Sequence, residues 1–151
     1  MGDITKGIEA GFVATIIVTL LLFVQQMSGV ASDFTLIAWL NQAVGTQQIQ
    51  PITGWVLHFV IGAGLWGAGF AVFSPHLWGP HWVRGLSFGF LTWLLMMILF
   101  LPSAGVPMFA MGMGVSIPVI GLVLNLVFGL VLGETYHLLL HYLPSEVDEN
   151  A

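Results

Sequence analysis

Lys6-Gly7-Ile8-Glu9-Ala10-Gly11-Phe12 leads into a long apolar run, and the arrangement returns at Arg84-Gly85-Leu86-Ser87-Phe88-Gly89-Phe90. Each stretch sets a cation, a glycine, a second glycine four residues on and a phenylalanine in front of hydrocarbon. Another pair of runs matches in the same way: Val56-Leu57-His58-Phe59-Val60-Ile61-Gly62 against Val123-Leu124-Asn125-Leu126-Val127-Phe128-Gly129. The chain therefore reads as a two-helix membrane unit present twice, over about 4–73 and about 83–143, within a single membrane domain that ends in an acidic tail at 144–151.

Composition supports lipid as the solvent. Charged residues are 6% of the chain and hydrophobic residues 58%, whereas soluble domains carry about 25% charged residues. Four runs, 4–27, 53–73, 83–101 and 115–143, are long enough to cross about 30 Å of hydrocarbon at roughly 20 residues each. The expected fold is an all-α, polytopic four-helix bundle. A signal peptide competes for the first run, because Gly29-Val30-Ala31 resembles a cleavage site. The length of that run, its Glu9 and its return as the third run favour a span. Cysteine is absent, which excludes disulfides, thiolate metal sites and thiol nucleophiles. Two Lys/Arg residues cannot form a nucleic-acid surface.

Those two cations, Lys6 and Arg84, precede the first and third spans and so fall on one side of the membrane. The positive-inside rule makes that side cytoplasmic, with both termini. Trp39 and Trp55 then mark the outer boundary, and Trp78, Trp82, Tyr136 and Tyr142 the inner one. The first outer connection holds an expected interfacial helix over 33–44. Ser32 or Asp33 would cap it and Gly45 would end it, with Phe34, Ile37 and Leu40 toward the membrane and Asn41 and Gln42 toward water. A polar turn, 46–51, follows. The second outer connection, 102–114, is uncharged and rich in proline and glycine, and is expected to dip into the mouth of the bundle. Small-xxx-small pairs at Gly7/Gly11, Gly85/Gly89 and Gly129/Gly133, with Gly62, Gly64, Gly67 and Gly69 on the second span, predict close helix contacts.

Four groups of residues carry candidate chemistry. Glu134, His137 and His141 share one helix face, and the topology brings His76 and His81 to the same side, a nitrogen and oxygen donor set suited to zinc, iron or copper. The competing reading is a helix end in the headgroup zone, and a di-metal carboxylate site would need a second Glu-x-x-His unit. Glu9 and Glu134 are also candidate proton or ion-pair groups, with Arg84 or a partner subunit opposite. Met108, Met111 and Met113 offer soft thioethers suited to copper, or serve as adaptable packing. His58 and Asn125 sit at matched positions of the repeat, at equal depth. They read as hydrogen bonds between helices, or as contacts to a haem or quinone. No catalytic set, nucleotide loop or HExxH motif is present.

The opening Lys6-Gly7 to Thr15, the central Gly54-Trp55-x-x-His58-Phe59-x-x-Gly62 and the closing Asn125/Gly129 helix resemble an uncharacterised family of small four-span prokaryotic membrane proteins, over about 4–133. That resemblance implies the four-span fold and an occurrence beside respiratory oxidases, with no assigned activity. The expected function is an accessory or structural subunit in the prokaryotic inner membrane, without catalysis of its own. Its expected partners are lipid and either other subunits, as of a respiratory oxidoreductase, or further copies of itself. The alternatives are a small transporter or copper-handling protein, and a haem- or quinone-binding redox protein.

Overall fold

The computed structural model describes residues 2–29, 36–43, 52–103 and 105–142. Its elements are α1 (Ile4–Ser28), α2 (Leu36–Ala43), α3 (Ile52–His76), α4 (His81–Ser103) and α5 (Ser116–Tyr142). There is no strand among the described residues. α1, α3, α4 and α5 are each long and apolar enough to cross a membrane, and all four lie where the sequence places spans. The polar turn 46–51, the cap residues Ser32, Asp33 and Gly45, Phe34 and the acidic tail fall outside the described residues, as do the side chains of Trp39 and Gln42.

Local chemistry sets the helix ends. Asp3 caps α1, its Oδ1 accepting the Lys6 N–H at 3.2 Å. Gly29 closes α1 at φ 70°, a conformation that glycine adopts without a Cβ penalty. The four spans run up and down, so Lys6 and Arg84 stand at one face of the bundle, called here the terminal face. α2 and the Met108–Ala110 turn lie at the opposite, loop face.

The long helices pack α3 on α1, α1 on α5 and α5 on α4. Glycine makes the first and last of these contacts. A Cβ on Gly7 would lie 2.5 Å from the Gly67 carbonyl oxygen and 2.7 Å from the Ala71 methyl; on Gly11 it would lie 2.8 Å from the Gly67 Cα and 3.0 Å from that of Ala63. In the other pair, a Cβ on Gly85 would strike the Gly129 carbonyl and lie 3.2 Å from the Gly133 Cα, and one on Gly89 would strike the Asn125 carbonyl. The backbones approach closely because these positions carry no side chain.

The register of these contacts differs from the sequence alignment. Gly67 occupies the place of Gly129 and Ala63 that of Asn125, while Gly62 backs onto the Thr15 side chain. His58 and Asn125 are therefore not matched positions in the packing. The physical reason lies in the helices themselves. α3 widens into π-helical turns over Val60–Gly67, and α4 does so over Met96–Phe100. Positions four apart on an α-helix drift by about 40° per step. The wider turn removes that drift and holds His58, Gly62 and Gly67, all buried, along the side that meets α1.

Ala10, Ala14, Val18, Phe70, Ala71, Phe88, Phe128, Leu132 and Tyr136 form the core. The outward face of α1, with Ile8, Phe12, Val13, Ile16, Ile17 and Leu20, is exposed and apolar. In water such a face would be an aggregation liability; against hydrocarbon it is the expected surface. Three boundary assignments need correction or refinement. Tyr136 is not an interfacial anchor: it is buried, and its hydroxyl accepts the Asp3 N–H at 2.9 Å. Trp78, Trp82 and Tyr142 are exposed at the terminal face, as expected. Leu40 of α2 faces inward and is buried, and Asn41, rather than facing water, accepts the Gly54 N–H on its Oδ1 at 2.6 Å. Of the 102–114 connection, Ala110 alone among the described residues is buried, against Met97, Leu101 and Ile117; Met108, Met111 and Met113 are exposed, so the segment mostly lies on the surface instead of dipping into the bundle.

Candidate functional site

Polar chemistry gathers in two places, one toward each face. Toward the loop face, the four long helices and α2 line a half-open cavity of about 320 Å³. It exists because α3 and α4 meet through aromatic edges rather than glycine: Trp66 stands 6.3 Å from Phe88 and 6.1 Å from Phe100, and Phe70 5.3 Å from Phe88, ring centre to ring centre. The walls are Val18, Leu22, Leu57, Ile61, Trp66, Met96, Met97, Phe100, Ile117, Ile120, Leu124 and Phe128, and Leu36 and Leu40 of α2 reach the same space. Its polar groups include His58, Asn125, Thr15 and Gln25.

His58 and Asn125 share this cavity, but no hydrogen bond joins them. Each is tied to the neighbour of its own helix. His58 Nε2 lies 3.1 Å from Thr19 Oγ1 on α1. Asn125 Nδ2 donates to the Gly121 carbonyl at 2.8 Å, and its Oδ1 lies 3.2 Å from the Thr92 hydroxyl of α4, which also reaches the Gly89 carbonyl at 2.9 Å. Thr19 and Thr92 were missed in the sequence, where a threonine in an apolar run carries no mark of its partner.

Toward the terminal face, three imidazoles form a column. The His81 and His137 rings stack 3.9 Å apart at 3°, and His137 and His141 lie 4.0 Å apart. Glu134 closes one end, its Oε2 3.1 Å from His81 Nε2. The structure brings Glu134, His137, His141 and His81 together, whereas His76, at the end of α3, is exposed and absent from the column. The rings are stacked and do not converge: among the described residues, no three His, Asp or Glu side chains are placed to hold a metal ion. Met108, Met111 and Met113 are all exposed at the loop face.

The carboxylate pairing expected of Arg84 is also different. Arg84 Nε–H donates to the Gly79 carbonyl at 2.9 Å and so closes the α3–α4 turn; it makes no ion pair with Glu9 or Glu134. Lys6 Nζ lies 3.9 Å from Asp3 Oδ2. Glu9 points away from the bundle, on the same exposed face as Phe12, Val13 and Ile16, with no hydrogen-bond or ion-pair partner among the described residues.

A four-span helical bundle with a glycine-packed frame, an apolar interhelical cavity and a carboxylate on its lipid face is a polytopic membrane protein. The chain belongs to a family of unknown function, DUF6789, whose model matches residues 1–146. No curated protein and no solved structure matches it.

Proposed function

We propose that this protein is an accessory subunit docked on a larger complex of the prokaryotic cytoplasmic membrane, and that the complex is a respiratory oxidoreductase. One observation carries the docking. Glu9 presents a carboxylate outward within a membrane-spanning helix, among exposed apolar side chains, with no hydrogen-bond or ion-pair partner among the described residues. Ionisable groups at such depth face a bundle interior or a partner, because hydrocarbon solvates them poorly. A partner helix that brings a cation or a hydrogen-bond donor to Glu9 supplies what the isolated bundle lacks. The α1–α3 and α4–α5 pairs both pack through two glycines four apart on the first helix, Gly7/Gly11 and Gly85/Gly89, which supports an origin by duplication although the facing positions on the second helix are shifted. The positive-inside rule, applied to Lys6 and Arg84 at the terminal face, puts both termini in the cytoplasm. The oxidoreductase part rests on the family resemblance alone.

Blue-native electrophoresis of native membranes, with mass spectrometry of each band, tests this reading. The expected result is one heavy band in which this chain accompanies other subunits in fixed ratio. Glu9→Leu should release the chain from that band while leaving the melting temperature of the purified bundle unchanged, since the side chain is exposed and has no hydrogen-bond or ion-pair partner among the described residues. A chain that migrates alone, or a Glu9→Leu variant that stays in the heavy band, contradicts the docking. Companions of a non-respiratory kind would contradict the oxidoreductase assignment only.

A further inference from the structure

We infer that the cavity beside His58 is a binding site for a neutral, apolar molecule that carries a hydroxyl group. The inference is independent of the docking reading and starts from one proton. Thr19 Oγ1 lies 2.7 Å from the Thr15 carbonyl oxygen and 3.1 Å from His58 Nε2. Two oxygens at 2.7 Å need a hydrogen between them, and the only one available is the Thr19 hydroxyl proton. With that proton committed to the carbonyl, the Thr19 oxygen is left to accept. His58 Nε2 therefore carries the hydrogen and donates it. In a neutral imidazole the other nitrogen, Nδ1, then holds a bare lone pair.

Nδ1 has no partner among the described residues, although His58 is only 8% exposed. An unmatched acceptor in an apolar setting is unfavourable until a donor reaches it. Thr15 donates its hydroxyl to the Gly11 carbonyl at 2.7 Å, Asn125 Nδ2 donates to the Gly121 carbonyl at 2.8 Å, and the one Thr92 proton is divided between the Gly89 carbonyl at 2.9 Å and Asn125 Oδ1 at 3.2 Å. His58 thus asks for a hydrogen-bond donor, and the mostly apolar walls around it ask for an apolar body. A hydroxyl meets that need; a ketone, ether or quinone carbonyl offers a second acceptor and does not. A ring-borne hydroxyl, as in a phenol or hydroquinone head, and a chain-borne one, as in a lipid alcohol, share this chemistry, and about 320 Å³ holds a fused two-ring head or a folded short chain.

The test uses the full chain in phosphatidylcholine nanodiscs, with empty nanodiscs subtracted, and four probes: 1-naphthol, 1-methoxynaphthalene, 1-decanol and decyl methyl ether. The expected result is saturable binding near one per chain, with each alcohol favoured over its methyl ether by about tenfold, the worth of one hydrogen bond. Whichever alcohol binds more tightly identifies the ring or the chain as the source of the hydroxyl. His58→Phe should erase the preference, and Leu124→Trp, which fills the cavity, should abolish saturable binding of all four. Nitrogen-15 NMR of histidine in the wild-type chain needs no variant. It should find His58 Nδ1 without hydrogen, and its signal should move with 1-naphthol and stay with 1-methoxynaphthalene. Equal affinities for alcohol and ether, no saturable binding, or a protonated Nδ1 each overturns the inference.

Discussion

A missing methyl group holds this protein together at Gly7, Gly11, Gly85, Gly89 and Gly129, where a Cβ would meet the backbone of the neighbouring helix. Backbone cannot swing aside as a flexible side chain can, so the cost of an added methyl falls on the helix spacing. Gly85→Ala should therefore destabilise the purified bundle by about 1–3 kcal/mol in a thermal melt in detergent. Gly64 is the control on the same chain, since nothing lies within 4 Å of a Cβ there. Gly64→Ala should be neutral or gain up to about 1 kcal/mol from helix propensity. Equal losses for the two variants would show that glycine acts here through helix flexibility and not through contact. The paired glycines were legible in the sequence because small residues at a spacing of four leave a visible stripe. Gly67, which meets both Gly7 and Gly11, was not singled out, because α3 has glycines at 62, 64, 67 and 69 and spacing alone does not rank them. The partner of His58 was illegible for a related reason: a one-turn change in helix register would exchange Thr19 for Thr15.

Among the elements, the four spans were readable to within a few residues, because length and hydropathy are what the membrane selects. The π-helical turns in α3 and α4 were not. They follow from how the helices dock, and their residues carry no turn or proline signal within Val60–Gly67 or Met96–Phe100. α2 shows the same division. Its place and length were close to expectation, whereas its rotation was reversed, because Leu40 finds a cavity to cover and Asn41 finds the Gly54 N–H. The Asn41–Gly54 bond joins α2 to the first turn of α3. Asn41→Ala should cost about 1 kcal/mol and raise hydrogen exchange at the Gly54 amide with little change at the Gly85 amide. Unchanged exchange at Gly54 would mean that α2 is held by its apolar side chains alone.

For the whole molecule, the order of packing decides where chemistry can occur. α3 sits on α1, α1 on α5 and α5 on α4, and the remaining seam, between α3 and α4, is filled by aromatic rings with a cavity beside them. No sequence pattern announces a seam of that kind, because it arises from what the glycine contacts elsewhere leave unfilled. The histidine column at the other face was largely legible, since turn positions and helix ends fix which residues meet there; its stacked geometry was not. All of these placements depend on four crossings, with the α3–α4 turn and the end of α5 on one side and the methionine turn on the other. The chain has no cysteine, so single substitutions report position without background. His76→Cys, Tyr142→Cys and Met111→Cys place a thiol at three exposed sites. In sealed right-side-out vesicles treated with a membrane-impermeant maleimide, Met111→Cys should react at once, and His76→Cys and Tyr142→Cys only after lysis. Reaction of His76→Cys and Met111→Cys from the same side, or of His76→Cys and Tyr142→Cys from opposite sides, would contradict the four-span bundle.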